Sequence, residues 1–254
     1  MPARRFFVRD RRAAGEVVAI EGGDAHKIAH VLRLRSGDRI EVVDSAAQLF
    51  SATLEIDGER VGARLDAVVD TPPASATRID VAQGIPKGSK MDYVVEKLCE
   101  LGVHSVFPLQ SERSIASAGA AAKLDRWRRL AKSASAQCGR RDIMNVSEPL
   151  AMRDLYERMA EYDLVLFPWE AAAPEPLGQH LPALVAGANR ILVVVGPEGG
   201  FSHAEAEAAR AAGAELVSLG RTILRTETAA LVTVAILGYE LDRRVQVPKD
   251  YSDT

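Results

Sequence analysis

The stretch ILVVVGPEGGFSHAEAEAARAAGAELVSLGRTILRTETA, residues 191–229, decides the fold of the C-terminal half of the chain. Its first five residues, 191–195, form an unbroken apolar run rich in β-branched side chains, which is typical of a strand buried on both faces of a parallel sheet. The glycine-rich loop GPEGG follows directly. Ser202 and Glu205 then form a capping-box pattern, which predicts where the next helix begins.

A second strand, loop and helix follow in the same order. We predict a strand over 215–219, a loop over 220–225 and a helix that Thr226 caps and that continues to about Leu241. Parallel sheets bind ligands in the crevice beyond the carboxyl ends of their strands, and both loops leave from such ends. Three glycines in five residues let backbone N–H groups approach a ligand closely.

The two loops together carry a family resemblance. By itself GPEGG is compatible with a tight turn, since it is neither a P-loop nor a G-x-G-x-x-G motif. The pair GPEGGFS and LGRTILRTETA, however, resembles the two signature motifs of the RsmE-type 16S rRNA uracil-N3 methyltransferases of the SPOUT superfamily, and the resemblance extends across most of the chain. It implies S-adenosylmethionine as methyl donor, a C-terminal trefoil knot, and a homodimer with the last helix near its interface. Such knots are rare exceptions in protein topology.

Composition sets broad limits on the class of protein. The chain has 254 residues, 47% of them hydrophobic, and a formal net charge of −3, so no overall basic character indicates nucleic-acid binding. Basic residues nevertheless cluster at 1–12 and at 126–141. Local basic patches can bind phosphates, although long basic side chains also commonly cover helix faces in contact with water.

Cysteine and histidine usage indicates a reduced, cytoplasmic setting. Cys99 and Cys138 lie in apolar helical patterns, without the spacing of a disulfide framework. The five histidines are scattered, so we predict no metal. The charged N-terminus does not resemble a signal peptide, and no apolar run is long enough to span a membrane, so we expect no membrane partner.

The N-terminal part alternates apolar and polar residues over 39–44, 49–56 and 61–69, as half-buried strands do. Asp57-Gly58 predicts a hairpin turn, and we expect Asp24 to cap a short helix before these strands. Short strands with tight turns favour a small β-barrel. The segments RRFFV and HVLRLRSGDRI also resemble the PUA-like RNA-binding domain of the family.

A linker-like segment, TPPASA, divides the chain. We predict a PUA-like β-barrel over 1–72, a SPOUT-type knotted α/β methyltransferase domain over 73–246, and a flexible tail over 247–254. In the second domain strands alternate with helices, and Ser89 with Asp92 suggests another capping box. The periodicity alone predicts a Rossmann-like α/β domain behind a β-barrel.

The resemblance implies a donor pocket built by three loops. The residues carried over for cofactor binding are Leu166, Phe167, Pro168, Gly196, Glu198, Gly199, Gly200, Leu219, Gly220, Ile223, Leu224 and Arg225. Loop backbone groups can read the adenine edge, while the apolar side chains can pack on the ring. An ordinary core position is an equally good interpretation of each apolar residue.

The chemistry requires an acceptor that has lost a proton. Methyl transfer is an in-line displacement that depends on near-attack geometry, and uracil N3 is protonated at neutral pH. Either a general base removes that proton or a cation stabilises the uracil anion. We assign Arg225 to polarise uracil oxygens or hold the target phosphate, and Glu198 to accept the proton or fix its loop. An acid at Glu227 needs no catalytic role, because the helix dipole favours it there.

Basic and polar residues from both domains are candidates for RNA binding. They are Arg4, Arg5, Arg9, His30, Arg33, Arg35, Lys87, Lys90, Arg113, Gln137, Arg140 and Arg141. The chain departs from the family pattern in one region. Ala136-Gln137 stands where the family usually has Glu-Gln, and the segment 142–145 lacks a proline that the family often has there.

Three functions are compatible with these observations. The resemblance implies methylation of uracil N3 in 16S rRNA, on free rRNA or on the 30S subunit. A SPOUT enzyme that modifies another RNA or another atom, such as a ribose 2′-oxygen, is the alternative. An RNA-binding module without catalysis is the third, and the intact pair of loops disfavours it.

Overall fold

The computed structural model of the chain describes residues 4–70, 76–114, 120–171 and 177–245. Two compact units result, one formed by residues 1–74 with 135–143 and the other by residues 75–134 with 144–254. The predicted boundary at 72/73 and the predicted tail over 247–254 lie outside the described residues.

The first unit is a five-stranded sheet. Its strands are β1 (Arg5–Phe7), β2 (Val17–Ile20), β3 (Arg39–Val43), β4 (Leu49–Asp57) and β5 (Arg60–Val68). They lie in the order β1-β3-β4-β5-β2, with β1 parallel to β3 and the other neighbours antiparallel. The predicted hairpin is confirmed, because Asp57 pairs with Arg60 across a turn in which Gly58 has a φ of 59°. Closure into a PUA-like barrel stays a prediction.

The helical segment of this unit differs from the prediction at its start. Helix α1 covers Gly22–His26, and a π-helical turn covers Lys27–Val31. Asp24 therefore lies in the first turn of the helix and is not its cap. A carboxylate in the first turn is favourable there because it faces the positive end of the helix dipole.

The second unit contains a parallel sheet. Its strands are β6 (Arg78–Gly84), β7 (Ser105–Gln110), β8 (Asn145–Val146), β9 (Leu150–Ala151), β10 (Leu164–Pro168), β11 (Arg190–Val195) and β12 (Glu215–Val217). The order is β12-β10-β11-β6-β7-β8, β9 also pairs with β7, and all these pairs are parallel. Strand β11 lies between two neighbours and its apolar residues are buried, as the sequence predicts. With two residues each, β8 and β9 are too short to produce a periodic signal.

Helices cover both faces of this sheet. They are α2 (Lys90–Glu100), α3 (Ala120–Cys138), α4 (Met152–Met159), α5 (Leu177–Leu184), α6 (His203–Ala211) and α7 (Thr226–Val245). Alternate strand residues enter two apolar layers, with Ile191 and Val193 on the side of α2, α3, α5 and α7. Leu192 and Val194 pack on the opposite side, with α4 and α6. Within the described ranges, no helix combines the length and the hydropathy needed to cross a bilayer.

The two predicted capping boxes have different outcomes. At α6, Ser202 Oγ accepts from the Glu205 N–H at 3.2 Å, and a Glu205 carboxylate oxygen accepts from the Ser202 N–H at 2.8 Å, which confirms the box. At α2 the prediction is wrong, since the Ser89 side chain makes no capping bond. Asp92 instead accepts from the Trp127 indole N–H at 3.1 Å and pairs with Arg126. These partners from α3 take the carboxylate that would have completed the box.

The end of β6 approaches the glycine-rich loop very closely. A Cβ atom on Gly84 would lie 2.6 Å from the Gly196 carbonyl carbon and 2.7 Å from Pro197 Cδ. The Gly84→Ala variant should therefore lose about 1–3 kcal/mol of unfolding free energy, because backbone must move to admit the methyl group. Urea unfolding measures this loss.

Gly238→Ala is the matched control. Gly238 lies within α7, and a Cβ there meets nothing within 4 Å. This variant should be neutral or gain up to about 1 kcal/mol from helix propensity. Equal unfolding midpoints for the two variants would contradict the role of Gly84.

Candidate active site

A cavity of about 730 Å³ opens at the carboxyl ends of β10 and β11. Its size is within the range of small-molecule sites. Its lining comes from both signature loops and from neighbouring elements. The lining residues are Lys90, Pro168, Glu170, Val195, Gly196, Pro197, Glu198, Gly199, Gly200, Phe201, Ile223, Leu224, Arg225, Thr226 and Ala229.

A smaller cavity of about 140 Å³ adjoins this one. It is lined by Trp169 and by the second signature loop from Ser218 to Leu224. The two cavities share five lining residues: Pro168, Glu170, Ile223, Leu224 and Ala229. They are therefore two branches of one site, and the glycine-rich loop and the second loop face each other across it.

The structure brings together ten of the twelve residues predicted for cofactor binding. Those lining the larger branch are Pro168, Gly196, Glu198, Gly199, Gly200, Ile223, Leu224 and Arg225. Leu219 and Gly220 line the smaller branch. Leu166 and Phe167 line neither, because these two residues of β10 are fully buried in the apolar layers on opposite faces of the sheet.

Close packing explains why the first loop is rich in glycine. Gly200 has a φ of 65°, and a Cβ atom there would lie 2.9 Å from a carboxylate oxygen of Glu170. At Gly199, a Cβ atom would lie 3.1 Å from Arg113 Cβ. Only glycine lets this loop adopt its conformation and pass so near its neighbours.

A buried hydrogen-bond chain joins the two signature loops. Thr226 Oγ1 donates to the Gly196 carbonyl oxygen at 2.5 Å and accepts from Gln83 Nε2 at 2.7 Å. The predicted capping role of Thr226 is therefore corrected: the hydroxyl holds the glycine-rich loop, and Thr226 is the first residue of α7. Sequence reasoning missed Gln83, because a single polar residue in an apolar strand carries no local signal.

Ionic contacts fix the glycine-rich loop from one side. A carboxylate oxygen of Glu198 accepts from the Lys87 backbone N–H and from Lys90 Nζ, both at 3.0 Å. Burial raises the pKa of the Glu198 carboxyl, but these hydrogen bonds outweigh it and leave the pKa below its ordinary value. Lys90 Nζ also lies 3.9 Å from a carboxylate oxygen of Glu227. Lys90, predicted to bind RNA, thus lies in the cavity between two carboxylates.

Contacts from the segment after β7 fix the same loop from the other side. Arg113 Nη1 donates to the Gly199 carbonyl oxygen at 3.1 Å. The buried carboxylate of Glu205 accepts from the Glu112 backbone N–H at 2.8 Å in addition to its capping bond. Arg113, another residue predicted to bind RNA, therefore supports the loop that lines the cavity.

Arg225 differs from Lys90 and Glu198, the paired charged residues of the cavity. Its side chain is exposed, and within the described ranges its guanidinium makes no hydrogen bond or ion pair. Of the two cations that line the larger branch, Lys90 is fixed by carboxylates, while the donors of Arg225 have no partner among the described residues and are available to a bound molecule.

The RNA-binding candidates of the first unit fall into two groups. Arg5 is saturated by protein partners: its guanidinium donates to Glu41 at 2.6 and 2.8 Å and to the backbone carbonyls of Gly139 and Arg140. It therefore holds the turn after α3 within this unit. The exposed candidates here are Arg4, Arg9, His30, Arg33, Arg35 and Gln137.

The remaining candidates are distributed differently. Arg140 pairs with Asp142 at 2.7 Å, and Arg141 is half-buried. In the second unit, the Lys87 side chain is exposed while its backbone N–H binds Glu198. With Lys90 and Arg113 at the glycine-rich loop, three of the predicted RNA ligands lie around the candidate active site.

The chain is similar in sequence to known RNA methyltransferases. The model of the RNA methyltransferase domain family matches residues 73–238. Ribosomal RNA small subunit methyltransferase E of Bacillus subtilis is 28% identical, over 94% of this chain and 97% of its own length.

Solved structures agree with the sequence matches. The methyltransferase E of Neisseria gonorrhoeae, bound to S-adenosyl methionine, is 30% identical with a TM-score of 0.84, covering 93% of this chain and 97% of its own. A putative methyltransferase of Legionella pneumophila, in complex with bound SAM, is 26% identical with a TM-score of 0.84, covering 94% and 98%. The chain therefore has an α/β methyltransferase fold and belongs to the RNA methyltransferase family, among the ribosomal RNA small subunit methyltransferases E.

Proposed function

We propose that this chain transfers the methyl group of S-adenosylmethionine to N3 of one uridine of 16S rRNA, with the 30S subunit as substrate. The observation that carries the proposal is the meeting of both signature loops at a single cavity. The names of the relatives support ribosomal RNA of the small subunit as substrate, and the two neighbouring structures hold the donor. Such a substrate places the reaction in the cytoplasm.

The residues of the cavity fit the proposed donor. A larger branch of about 730 Å³ and an adjoining branch of about 140 Å³ can divide an extended nucleoside between them. When bound, the donor supplies an activated methyl group. Leu219, Ile223 and Leu224 offer apolar packing for the adenine ring, and the glycines of the first loop let backbone groups come close to the ligand.

Arg225 is the residue that we assign to the acceptor base. Its guanidinium, which has no partner among the described residues, can donate to a uracil oxygen and stabilise the negative charge that remains when N3 loses its proton. Glu198 is a poor proton acceptor, since its lowered pKa means that it holds a proton weakly. Of its two predicted roles we therefore retain loop fixation, and the proton passes to solvent.

The wider organisation belongs to the same proposal. We infer that the first unit is a PUA-like RNA-binding barrel, that the C-terminal chain forms a trefoil knot, and that the protein is a homodimer. Helix α7 supports the last point, because it buries Val234 and Leu237 on its inner face and exposes Ile236 and Tyr239. Large apolar side chains exposed together are typical of interaction surfaces.

The atom that is methylated can be tested in cells. A strain that lacks this gene should lose one 3-methyluridine from its 16S rRNA, and expression of the intact chain should restore it. Mass spectrometric mapping of the rRNA measures both. An unchanged 3-methyluridine profile with loss of a ribose 2′-O-methyl group would instead establish the alternative enzyme.

Removal of the Arg225 guanidinium should lower the rate of methyl transfer more than it lowers the affinity for the donor. Arg225→Ala should lower the rate of methyl transfer to 30S subunits by about 100-fold to 1,000-fold, because the uracil anion loses its stabilising charge. Donor affinity, measured by calorimetry, should change by no more than about threefold. Arg153→Ala is the control, since that side chain is exposed on α4. A rate near that of the unmodified chain in Arg225→Ala would refute the assignment.

The pH dependence distinguishes the two roles of Glu198. The lowered pKa of Glu198 keeps its carboxylate ionised even in the acidic range where a carboxyl ordinarily takes up a proton, so its loop contacts are present at neutral pH and are lost only in stronger acid. Between about pH 6 and 9 the rate should rise with ionisation of uracil N3. Glu198→Gln should weaken donor binding yet keep this pH profile. A profile that becomes flat in Glu198→Gln would show that Glu198 is the base.

A further inference from the structure

Glu170 occupies a special place in the donor cavity. It lies two residues after the end of β10 and lines both branches. Of the five residues common to the two branches, Glu170 is the single charged one, and the other four are Pro168, Ile223, Leu224 and Ala229.

The Glu170 carboxylate is available to a ligand. Within the described part of the chain it makes no hydrogen bond and no ion pair, and its residue is exposed. Glu198, the other carboxylate of the larger branch, already accepts from two donors of the protein. Glu170 is thus the acidic group of the site whose acceptor oxygens have no partner among the residues that the structure describes.

The glycine-rich loop leaves room for this carboxylate. One of its oxygens lies 2.9 Å from the position that a Cβ atom of Gly200 would occupy, and all three nearest atoms to that position belong to Glu170. Any other residue at 200 would displace the carboxylate. The space above Gly200 is therefore filled by a functional group of the neighbouring loop.

The chemical character of the branches orients the donor. Trp169 and Leu219 line only the smaller branch, whose charged lining residues are Glu170 and Arg221, and their apolar surfaces suit the flat, largely apolar purine. The larger branch contains Lys90 and the backbone of the glycine-rich loop and suits the charged amino-acid end, while Arg225, assigned to the acceptor base, marks it as the branch that holds the reacting methyl group. The ribose joins these two parts of the donor, so it must lie at the junction, where Glu170 is.

We propose that Glu170 accepts hydrogen bonds from the 2′- and 3′-hydroxyl groups of the donor ribose. A carboxylate near the carboxyl end of a parallel strand has this role in dinucleotide-binding folds, where it recognises a ribose hydroxyl. The inference rests on the proposed function, because it presupposes a nucleoside donor in this cavity. It makes Glu170 a residue that selects a ribonucleoside over its deoxy analogue.

Calorimetry with a set of ligands tests the proposal. Glu170→Gln and Glu170→Ala should weaken S-adenosylmethionine and S-adenosylhomocysteine by the same factor, about 10-fold to 100-fold, because both ligands carry the same ribose. The 2′-deoxy analogue of S-adenosylhomocysteine keeps only the 3′-hydroxyl contact, so it should bind the unmodified chain more weakly than the parent ligand and should lose a smaller factor of affinity in either variant. The analogue tests the contact without any substitution in the protein.

Glu157→Gln is the matched control. Glu157 is an exposed acid on α4 and lines neither branch of the cavity. Its substitution should change donor affinity by less than about twofold. The loss of a hydrogen bond to a charged group would change the affinity by more than this. Circular dichroism and thermal unfolding verify that all variants are folded.

Three other outcomes would each overturn either the role of Glu170 or the proposed function. Unchanged affinity in Glu170→Gln, with normal donor binding by the unmodified chain, would overturn the role of Glu170 and leave the proposed function intact. A loss for S-adenosylmethionine but not for S-adenosylhomocysteine would overturn the ribose contact and place the carboxylate at the sulfonium. Failure of the unmodified chain to bind either ligand would overturn the proposed function and this inference together.

Discussion

The hydroxyl of Thr226 is the contact on which the candidate site depends. It joins the end of β11 to the start of α7 by donating to the Gly196 carbonyl oxygen. The same hydroxyl accepts a hydrogen bond from Gln83 Nε2. Because these two hydrogen bonds are buried, the loss of either would leave an unsatisfied polar group, which costs about 1–3 kcal/mol. The two signature loops are therefore held at a fixed separation, and the cavity between them follows from that separation.

Glycine and charge act together around this contact. Gly84 and Gly200 admit close neighbours that any side chain would exclude, so the loops after β6, β10 and β11 are packed directly against one another. Lys90 neutralises Glu198, and Arg113 holds the Gly199 carbonyl. The charged groups of Lys90, Glu198 and Arg113 thus make contacts within the protein. Those of Glu170 and Arg225 face the cavity without a partner among the described residues. A preformed site with a few free polar groups is the usual basis of specific small-molecule binding.

Local signals predicted the elements of the second unit well. The capping box at Ser202, the apolar run before Gly196 and the parallel arrangement of the strands are all present. The box at Ser89 failed, because a tryptophan and an arginine from α3 compete for Asp92. Pattern reading detects residues that can cap a helix, whereas it does not detect partners brought from another helix by packing.

The sequence by itself determined most of the strands, where α6 begins and which two loops resemble the signature motifs of the family, because these features depend on residues near one another in the chain. Only the tertiary structure decided the partners of individual side chains. Gln83 and Thr226 are 143 positions apart, whereas the residues that share a turn or a helix face lie within a few positions of one another. Likewise, Arg5 binds Glu41 and the turn at Gly139, while Glu170, beside Gly200, has no partner within the described ranges. Which charged groups are satisfied by protein and which remain for a ligand depends on distances that exist only after folding.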